Sequence, residues 1–395
     1  MTQDTPDAIG QRVARARKLR GLTQQGLADR TRYSRSHIAQ VEKGHKLATP
    51  AFLAAVAAEL REDPAVLSGP VPTVTESSDR VHASIPHLRR ALAWSDLPPD
   101  LDAPPRTVDE LAEELVTAQR LRRVARHVQL GAMLPAVIEE LSFQAHSSDD
   151  PRTWRLLTEA YAAAGELTRR LGYTDLADSM FKEAGRSAAL AEDPHLPLII
   201  TWRRSLVLIQ HSALGAGTKL LEQAISRVDR AHPGAEEVIG ALHLRAAIIS
   251  GRSGQASRAW GHYGAAEEVS NRAGGAHLDS YSTYFVGANV LIHGAAVATE
   301  LGDYDEATRR DEMVGDRDLA SLLAERQAHH GIDMSRVHLE TGQKKKALEK
   351  LVRAEKRAPQ MTRFHPSAQA VATRLATLYR DIPEPLRGLM ARMRL

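Results

Sequence analysis

Thr23-Gln-Gln-Gly-Leu-Ala-Asp-Arg-Thr-Arg-Tyr-Ser-Arg-Ser-His-Ile-Ala-Gln-Val-Glu-Lys-Gly44 decides how the chain is read. The stretch divides into two short helices joined by a tight turn. Thr23 is placed to cap the first, with Leu27 and Ala28 on its inner face. Ser34 is placed to cap the second, with Ile38 and Val41 three apart on one inner face. Arg35, Ser36, His37 and Gln40 then point outward, with Lys43 following. Donor-rich side chains on the exposed N-terminal part of a helix suit the DNA major groove. An arginine fork fits guanine O6 and N7, and a glutamine amide fits adenine in the same way. An ordinary helical hairpin with a solvated basic face is the plainer alternative.

The flanks extend the pattern. Ile9, Val13, Ala16 and Leu19 give a helix over about 8–20 an inner face, and Gly21 ends it. Gly44 stops the second quoted helix. Thr49-Pro50 supplies a cap and a first-turn proline for a helix with Phe52, Leu53, Val56, Ala57 and Leu60 inside. Asp63 to Leu67 reads as a last short helix, and residues 1–7 as disordered. Residues 1–68 hold 11 Lys and Arg against 7 Asp and Glu, whereas the rest of the chain holds 41 against 42. The basic excess therefore sits on the module with the DNA-reading pattern, where phosphate attraction needs it.

These residues, at this spacing, resemble the helix-turn-helix of the phage-repressor (Cro/C1, or XRE) family. The resemblance covers about residues 8–68 and implies a five-helix DNA-binding domain. It implies that Arg17 and Glu42 form a buried ion pair pinning helix 1 to the recognition helix. It further implies that Gln24 touches phosphate and that Arg35, Ser36 and Gln40 face bases. Three positions depart from the family pattern. Gly26 replaces a polar helix former, Arg32 stands where a turn glycine is common, and Tyr33 where a small apolar residue is usual.

Gly69–Ser78 is rich in Gly, Pro, Ser and Thr and reads as a linker, and Ile85–Trp94 as a short amphipathic helix within a connecting segment, residues 69–106. From Thr107 the pattern changes to long helices in pairs. Glycine-bearing turns fall at Leu171–Tyr173, Gly251–Gly254, Leu301–Tyr304 and Thr341–Gln343. After three of them comes a small residue, a bulkier one and a small one: Ala177/Phe181/Ala184, Ala259/Tyr263/Ala266 and Ala347/Leu351/Ala354. Ala307 fits as well, but Asp311 takes the bulky position. This resembles the tetratricopeptide (TPR) repeat, with helix pairs about 34 residues long, over residues 107–395. An unrelated all-α bundle is the alternative. Aromatic residues make up only 4% of the chain, and its apolar part is mostly Ala, Leu and Val. Ala and Leu are strong helix formers. The expected fold is all-α, a five-helix helix-turn-helix domain followed by a TPR-like α-solenoid.

Several chemistries find no support. The absence of cysteine removes disulfides and thiolate chemistry. Met1–Gly10 is polar and does not read as a signal peptide. The apolar run Phe285–Leu301 is interrupted by Asn289, His293 and Glu300 and reads as a buried helix, with no membrane span. Leu214-Gly-Ala-Gly-Thr-Lys219 lacks the Gly-Lys-Ser/Thr ending of a phosphate loop and reads as a hairpin turn. His329, His330, Asp333 and His338 show no metal-ligand spacing and read as surface residues of a helix. No enzyme activity, metal or cofactor is expected. Asn289, on an otherwise apolar helix, needs a reason, because Asn is a modest helix former. It is either satisfied by a neighbouring helix or faces a ligand, with Tyr284 and Arg245 as weaker ligand candidates.

The combination is similar to the peptide-sensing RRNPP regulators and to actinobacterial XRE regulators with TPR-like C-terminal regions. That resemblance implies a cytoplasmic, sequence-specific transcription regulator, a repressor by analogy. It implies a homodimer on an inverted repeat of double-stranded DNA, with a peptide or small-molecule effector and no membrane partner. A TPR-type interaction adaptor and a phage- or antitoxin-type repressor with no effector are the alternatives.

Overall fold

The structure, a computed structural model, describes residues 9–62, 64–68, 82–123, 126–272, 279–393 and 395, and all regular elements among them are helices. The expected disorder of residues 1–7 and the linker Gly69–Ser78 lie outside the described residues. The chain divides into two compact units. One joins residues 1–70 to residues 243–395, and the other spans residues 71–242.

The first unit begins with α1 (Ile9–Leu19), α2 (Gln24–Ala28), α3 (Arg35–Glu42), α4 (Pro50–Leu60) and α5 (Pro64–Ser68). The expected caps are in place. Thr23 Oγ1 accepts from the Gly26 amide at 2.9 Å, Ser34 Oγ from His37 at 3.2 Å and Thr49 Oγ1 from Phe52 at 3.1 Å. Val13, Leu27, Ile38, Val41, Phe52, Val56, Leu60 and Leu67 close a core among these helices. Burying a side chain of this kind stabilises by roughly 1.5–3 kcal/mol. A methyl group on Gly10 would overlap the Val41 carbonyl oxygen, so α1 rests directly on the α3 backbone. Leu19 corrects the expected inner face, because it is 81% exposed while Arg17 is buried. At about 100° per residue, Leu19 lies roughly 120° round the helix from Val13, off the face that Arg17 helps to bury.

Residues 71–242 contain α6 (Ile85–Ala93), α7 (Val108–Arg123), α8 (His127–Ser148), α9 (Pro151–Arg170), α10 (Thr174–Ala189), α11 (Leu196–Gln210) and α12 (Leu214–Ser226). The amphipathic helix α6 buries Ile85, Leu88 and Ala91, and packs on α8. In the α9–α10 pair, Ala177, Phe181 and Ala184 are buried, and Gly165 makes room for the Phe181 ring. A Cβ on Gly165 would stand 3.0 Å from that ring. The segment from Leu214 to Lys219 opens α12, where a hairpin turn was expected; its glycines sit inside the helix.

The division between the units falls inside α13 (Ala235–Arg252). The first unit continues with α14 (Ala256–Arg272), α15 (Gly287–Leu301), α16 (Tyr304–Met313), α17 (Asp316–Ser321), α18 (Ala324–Glu340), α19 (Lys344–Arg357), α20 (Pro359–Phe364), α21 (Pro366–Leu378) and α22 (Glu384–Met393). Gly172, Gly254, Gly302 and Gly342, one in each expected turn, adopt left-handed φ values from +75° to +87°, which glycine tolerates at no steric cost. The small–bulky–small sets of α14 and α19 are buried, as is Ala307 of α16. Asp311 fills its position by charge. It accepts from His330 Nε2 at 2.7 Å and from Lys350 Nζ at 2.7 Å, tying α16 to α18 and α19. His330 and His338 are both buried, a correction of their expected surface placement. The sequence is that of a helix-turn-helix domain followed by TPR-like helical repeats.

Candidate nucleic-acid interface

The recognition helix α3 is fixed from behind by an ion pair. Arg17 Nε and Nη2 donate to the two carboxylate oxygens of Glu42 at 2.6 and 2.9 Å, and Arg17 Nη1 donates to the Leu22 carbonyl at 2.7 Å. Both side chains are almost fully buried. Burial alone would raise the Glu42 pKa. Hydrogen bonds from Arg17 and Gln24 and the charges of Arg17 and Lys18 outweigh it and hold the carboxylate below its usual range. A two-pronged arginine fork sets angle as well as distance, so α1 orients α3.

Along α3 and at its end, Arg35, Ser36, Gln40 and Lys43 are all exposed. The ordered end of the helix supports them. Gly44 adopts φ +73°, and the His45 amide donates to the Gln40 carbonyl at 2.8 Å. Two other expected DNA contacts, Gln24 for phosphate and His37 on α3, have partners within the domain. Gln24 Nε2 donates to Glu42 at 2.8 Å, so the amide belongs to the ion-pair network. His37 is half-buried, its ring 5.4 Å from Phe52 and 4.8 Å from Tyr33. Burial, and then the charge of Lys46, push its pKa down to about 4, so it is neutral near pH 7. Tyr33, the large residue in place of a small one, builds this aromatic wall with Phe52 at 5.0 Å.

Arg32, the other departure in the turn, has a role that the local sequence did not reveal. The α2–α3 turn contains no residue with positive φ, so it needs no glycine. Arg32 Nη2 instead donates to the carbonyl of Arg252, at the end of α13, at 3.1 Å. Beyond α3, Arg374 of α21 donates to the His45 carbonyl at 2.9 Å. Leu47 packs on the apolar core of the last repeats, and its amide hydrogen-bonds Glu340. The recognition helix is thus held to the repeats on both flanks, with its outer face left open.

Of the ligand candidates, Arg245 lies on α13 and Asn289 on α15, and Tyr284 precedes α15. Asn289 is 2% exposed. Its Nδ2 donates to the Tyr284 carbonyl at 3.0 Å, while its buried Oδ1 has no partner among the described residues. Tyr284 adopts φ +54° and takes part through its backbone, its amide donating to Asp279 at 2.9 Å. Arg245 of α13 acts electrostatically on His293, one turn beyond Asn289 on α15. Among the described residues, no group of three or more His, Asp or Glu side chains could hold a metal ion, and no helix is long and apolar enough to cross a membrane.

Residues 13–67 match the family model HTH_3, described as Helix-turn-helix. No curated protein matches the chain. Two solved structures are similar over much of its length. BtubC from P. vanneervenii is 19% identical with a TM-score of 0.41, over 71% of this chain and 96% of its own. PlcR from Bacillus thuringiensis, in complex with the peptide PapR7 and DNA, is 14% identical with a TM-score of 0.33, over 78% and 95%. With the family match falling on the same residues as the Arg17–Glu42 lock and the open face of α3, residues 13–67 are a DNA-binding helix-turn-helix domain of the phage-repressor type.

Proposed function

We propose that the protein is a cytoplasmic, sequence-specific transcription regulator, acting as a repressor. It reads DNA with residues 1–68 and uses the repeats of residues 107–395 to dimerise and to sense an effector. The observation that carries this reading is the exposed set Arg35, Ser36, Gln40 and Lys43 on a helix locked from behind by Arg17 and Glu42. Such a helix reaches one half-site, so two copies on an inverted repeat supply the rest, their half-sites about 34–36 Å apart. The contacts of Arg32 and Arg374 support control of half-site spacing by the repeats, because they flank the reading helix. The buried Oδ1 of Asn289, which has no partner among the described residues, supports an effector site at α15, for a peptide or small molecule.

The test is selection of bound fragments by the full chain, followed by footprinting. Two protected half-sites are expected. Arg35→Ala should cost about 1–3 kcal/mol of specific binding and relax preference at one base position, leaving random-DNA binding nearly unchanged. Equal losses on specific and random DNA would show that α3 does not read bases.

A further inference from the structure

The surface beside the recognition helix continues onto the repeats. Arg374 of α21 donates at 2.9 Å to the carbonyl of His45, in the loop that leaves α3. One turn further along α21, about 6 Å, the Leu378 carbonyl accepts from Lys344 Nζ at 3.3 Å. The same ammonium lies 4.5 Å from the centre of the Tyr379 ring. Leu47, two residues past His45, packs on the core that holds Ala347 and Leu351 of α19 and Val371 and Leu375 of α21. These contacts place the start of α19 next to the end of the recognition helix. That start is Lys344-Lys345-Lys346. Lys345 and Lys346 are exposed and join no ion pair among the described residues. The acids nearby are occupied, Glu349 by Arg353 at 3.0 Å and Glu340 by the Leu47 amide. Residues 69–395 are nearly balanced in charge, so three consecutive lysines are a local concentration. Helix stability does not call for them, because cations at the start of a helix oppose its dipole.

We propose that this run is a second DNA contact, in which Lys345 and Lys346 neutralise backbone phosphates beside the base pairs that α3 reads. The partner is double-stranded DNA, held through its phosphates with no base recognised. The side-chain chemistry agrees. A lysine ammonium is a compact, rotatable point charge that suits a phosphate, whereas base edges are best read by the arginine fork or by amides. The position agrees as well. Each DNA strand carries a phosphate every 3.4 Å or so of helix axis, so a surface that starts at the loop leaving α3 and runs on for about one helical turn meets phosphates within roughly four base pairs of the half-site. Lys344 positions the run. Its ammonium, held by Leu378 and Tyr379, fixes the first turn of α19 against α21, and Arg374 fixes α21 to the loop. The inference rests on the DNA-binding part of the proposed function and adds to it a contact outside residues 13–67.

The test titrates the full chain over a series of salt concentrations against two duplexes of equal length, an operator fragment that it selects, with about one helical turn of flanking sequence on each side, and a random duplex. Lys345→Gln with Lys346→Gln should lower the slope of log K against log salt by about 2 per protomer, since each phosphate contact contributes about 0.9. Operator and random DNA should weaken in the same proportion, with the preference between bases unchanged. Lys345→Glu with Lys346→Glu should weaken both further. Lys356→Gln, an exposed change at the far end of α19, should leave the slope as in the wild type. An unchanged slope in the Lys345 and Lys346 variants, an equal fall with Lys356→Gln, or a loss confined to the operator would each overturn the proposal. A wild type that binds neither duplex removes the regulator itself, whereas a wild-type slope kept by the Lys345 and Lys346 variants removes only this inference.

Discussion

Glu42→Ala probes the joint on which the DNA-reading geometry depends. The substitution removes the acceptor of two Arg17 hydrogen bonds and one from Gln24. Arg17, 7% exposed, would keep only the Leu22 carbonyl. Stripping the partner from a buried charge costs about 3–5 kcal/mol, and the lost Gln24 bond places this site in the upper half of that range. Whole domains are stable by only about 5–15 kcal/mol, so the change is large. Urea unfolding of the full chain, read by hydrogen exchange in α1–α3, should show protection collapsing there while α9 and α10 keep theirs. The effect should also depend on pH. The Glu42 pKa is lower in the folded protein than in the unfolded chain. Its contribution is therefore complete above the ordinary carboxylate range, about pH 4.5, and is lost as pH falls through the lowered value. The gap between wild type and variant should narrow in acid. A shift below about 0.5 kcal/mol at neutral pH, the size of an ordinary surface change, would refute the reasoning.

Gly10→Ala should destabilise the N-terminal domain by about 1–3 kcal/mol in the same unfolding assay, because its methyl meets the Val41 carbonyl, which cannot move aside. Arg32→Ala with Arg374→Ala removes the exposed hydrogen bonds to the Arg252 and His45 carbonyls, each contributing about 0.5–1.5 kcal/mol. The double variant should unfold nearly like wild type, yet tolerate a wider range of half-site spacings when operators of altered length are titrated. Asp311→Ala should loosen α16 against α18 and α19 and cost about 1.5–3 kcal/mol, the range for hydrogen bonds to charged groups. Burial would raise the Asp311 pKa, but His330 and Lys350 bring it down to about 2. Its stabilisation is therefore present above about pH 4 and lost as pH falls towards 2, which acid titration of wild type and variant will show.

What was legible in the sequence was local. Thr23, Ser34 and Thr49 cap helices three residues or fewer away, and the buried positions of α2 to α4 repeat within single helices. The repeat turns were legible because Gly172, Gly254, Gly302 and Gly342 sit at left-handed positions. His37 was misplaced because its surroundings come from Phe52, on another helix. Asp311 looked like a defect in a repeat until its partners on α18 and α19 were known. Least visible were the anchors of α3, which join residues 220 and 329 positions apart. Arg32 was the local trace of one of them, and Tyr33, the departure beside it, belongs to the domain itself. Neither is needed to make the turn; one holds a distant carbonyl and the other builds a wall for His37.

Arg252 connects the two halves of this reading. Its carbonyl accepts from Arg32 beside the recognition helix, while its guanidinium grips Glu300 of α15. The helices that meet there, α13 and α15, also carry Arg245, Asn289 and His293 two turns or more away. An α-helix transmits displacement along its axis better than a loop does, because its hydrogen bonds resist extension. A ligand that drew Arg245 towards α15 would therefore act on α13, which holds the α2–α3 turn through the Arg252 carbonyl, and on α15, which Arg252 grips. Contact alone would not make that control. The ligand must favour one arrangement of α13 against α15 over another, since equal affinity for both shifts nothing. A bound group that spans α13 and α15 meets this condition, because its separate contacts are satisfied together only at one spacing of the two helices. A ligand held by one helix alone does not meet it, and would occupy the groove without reaching the DNA.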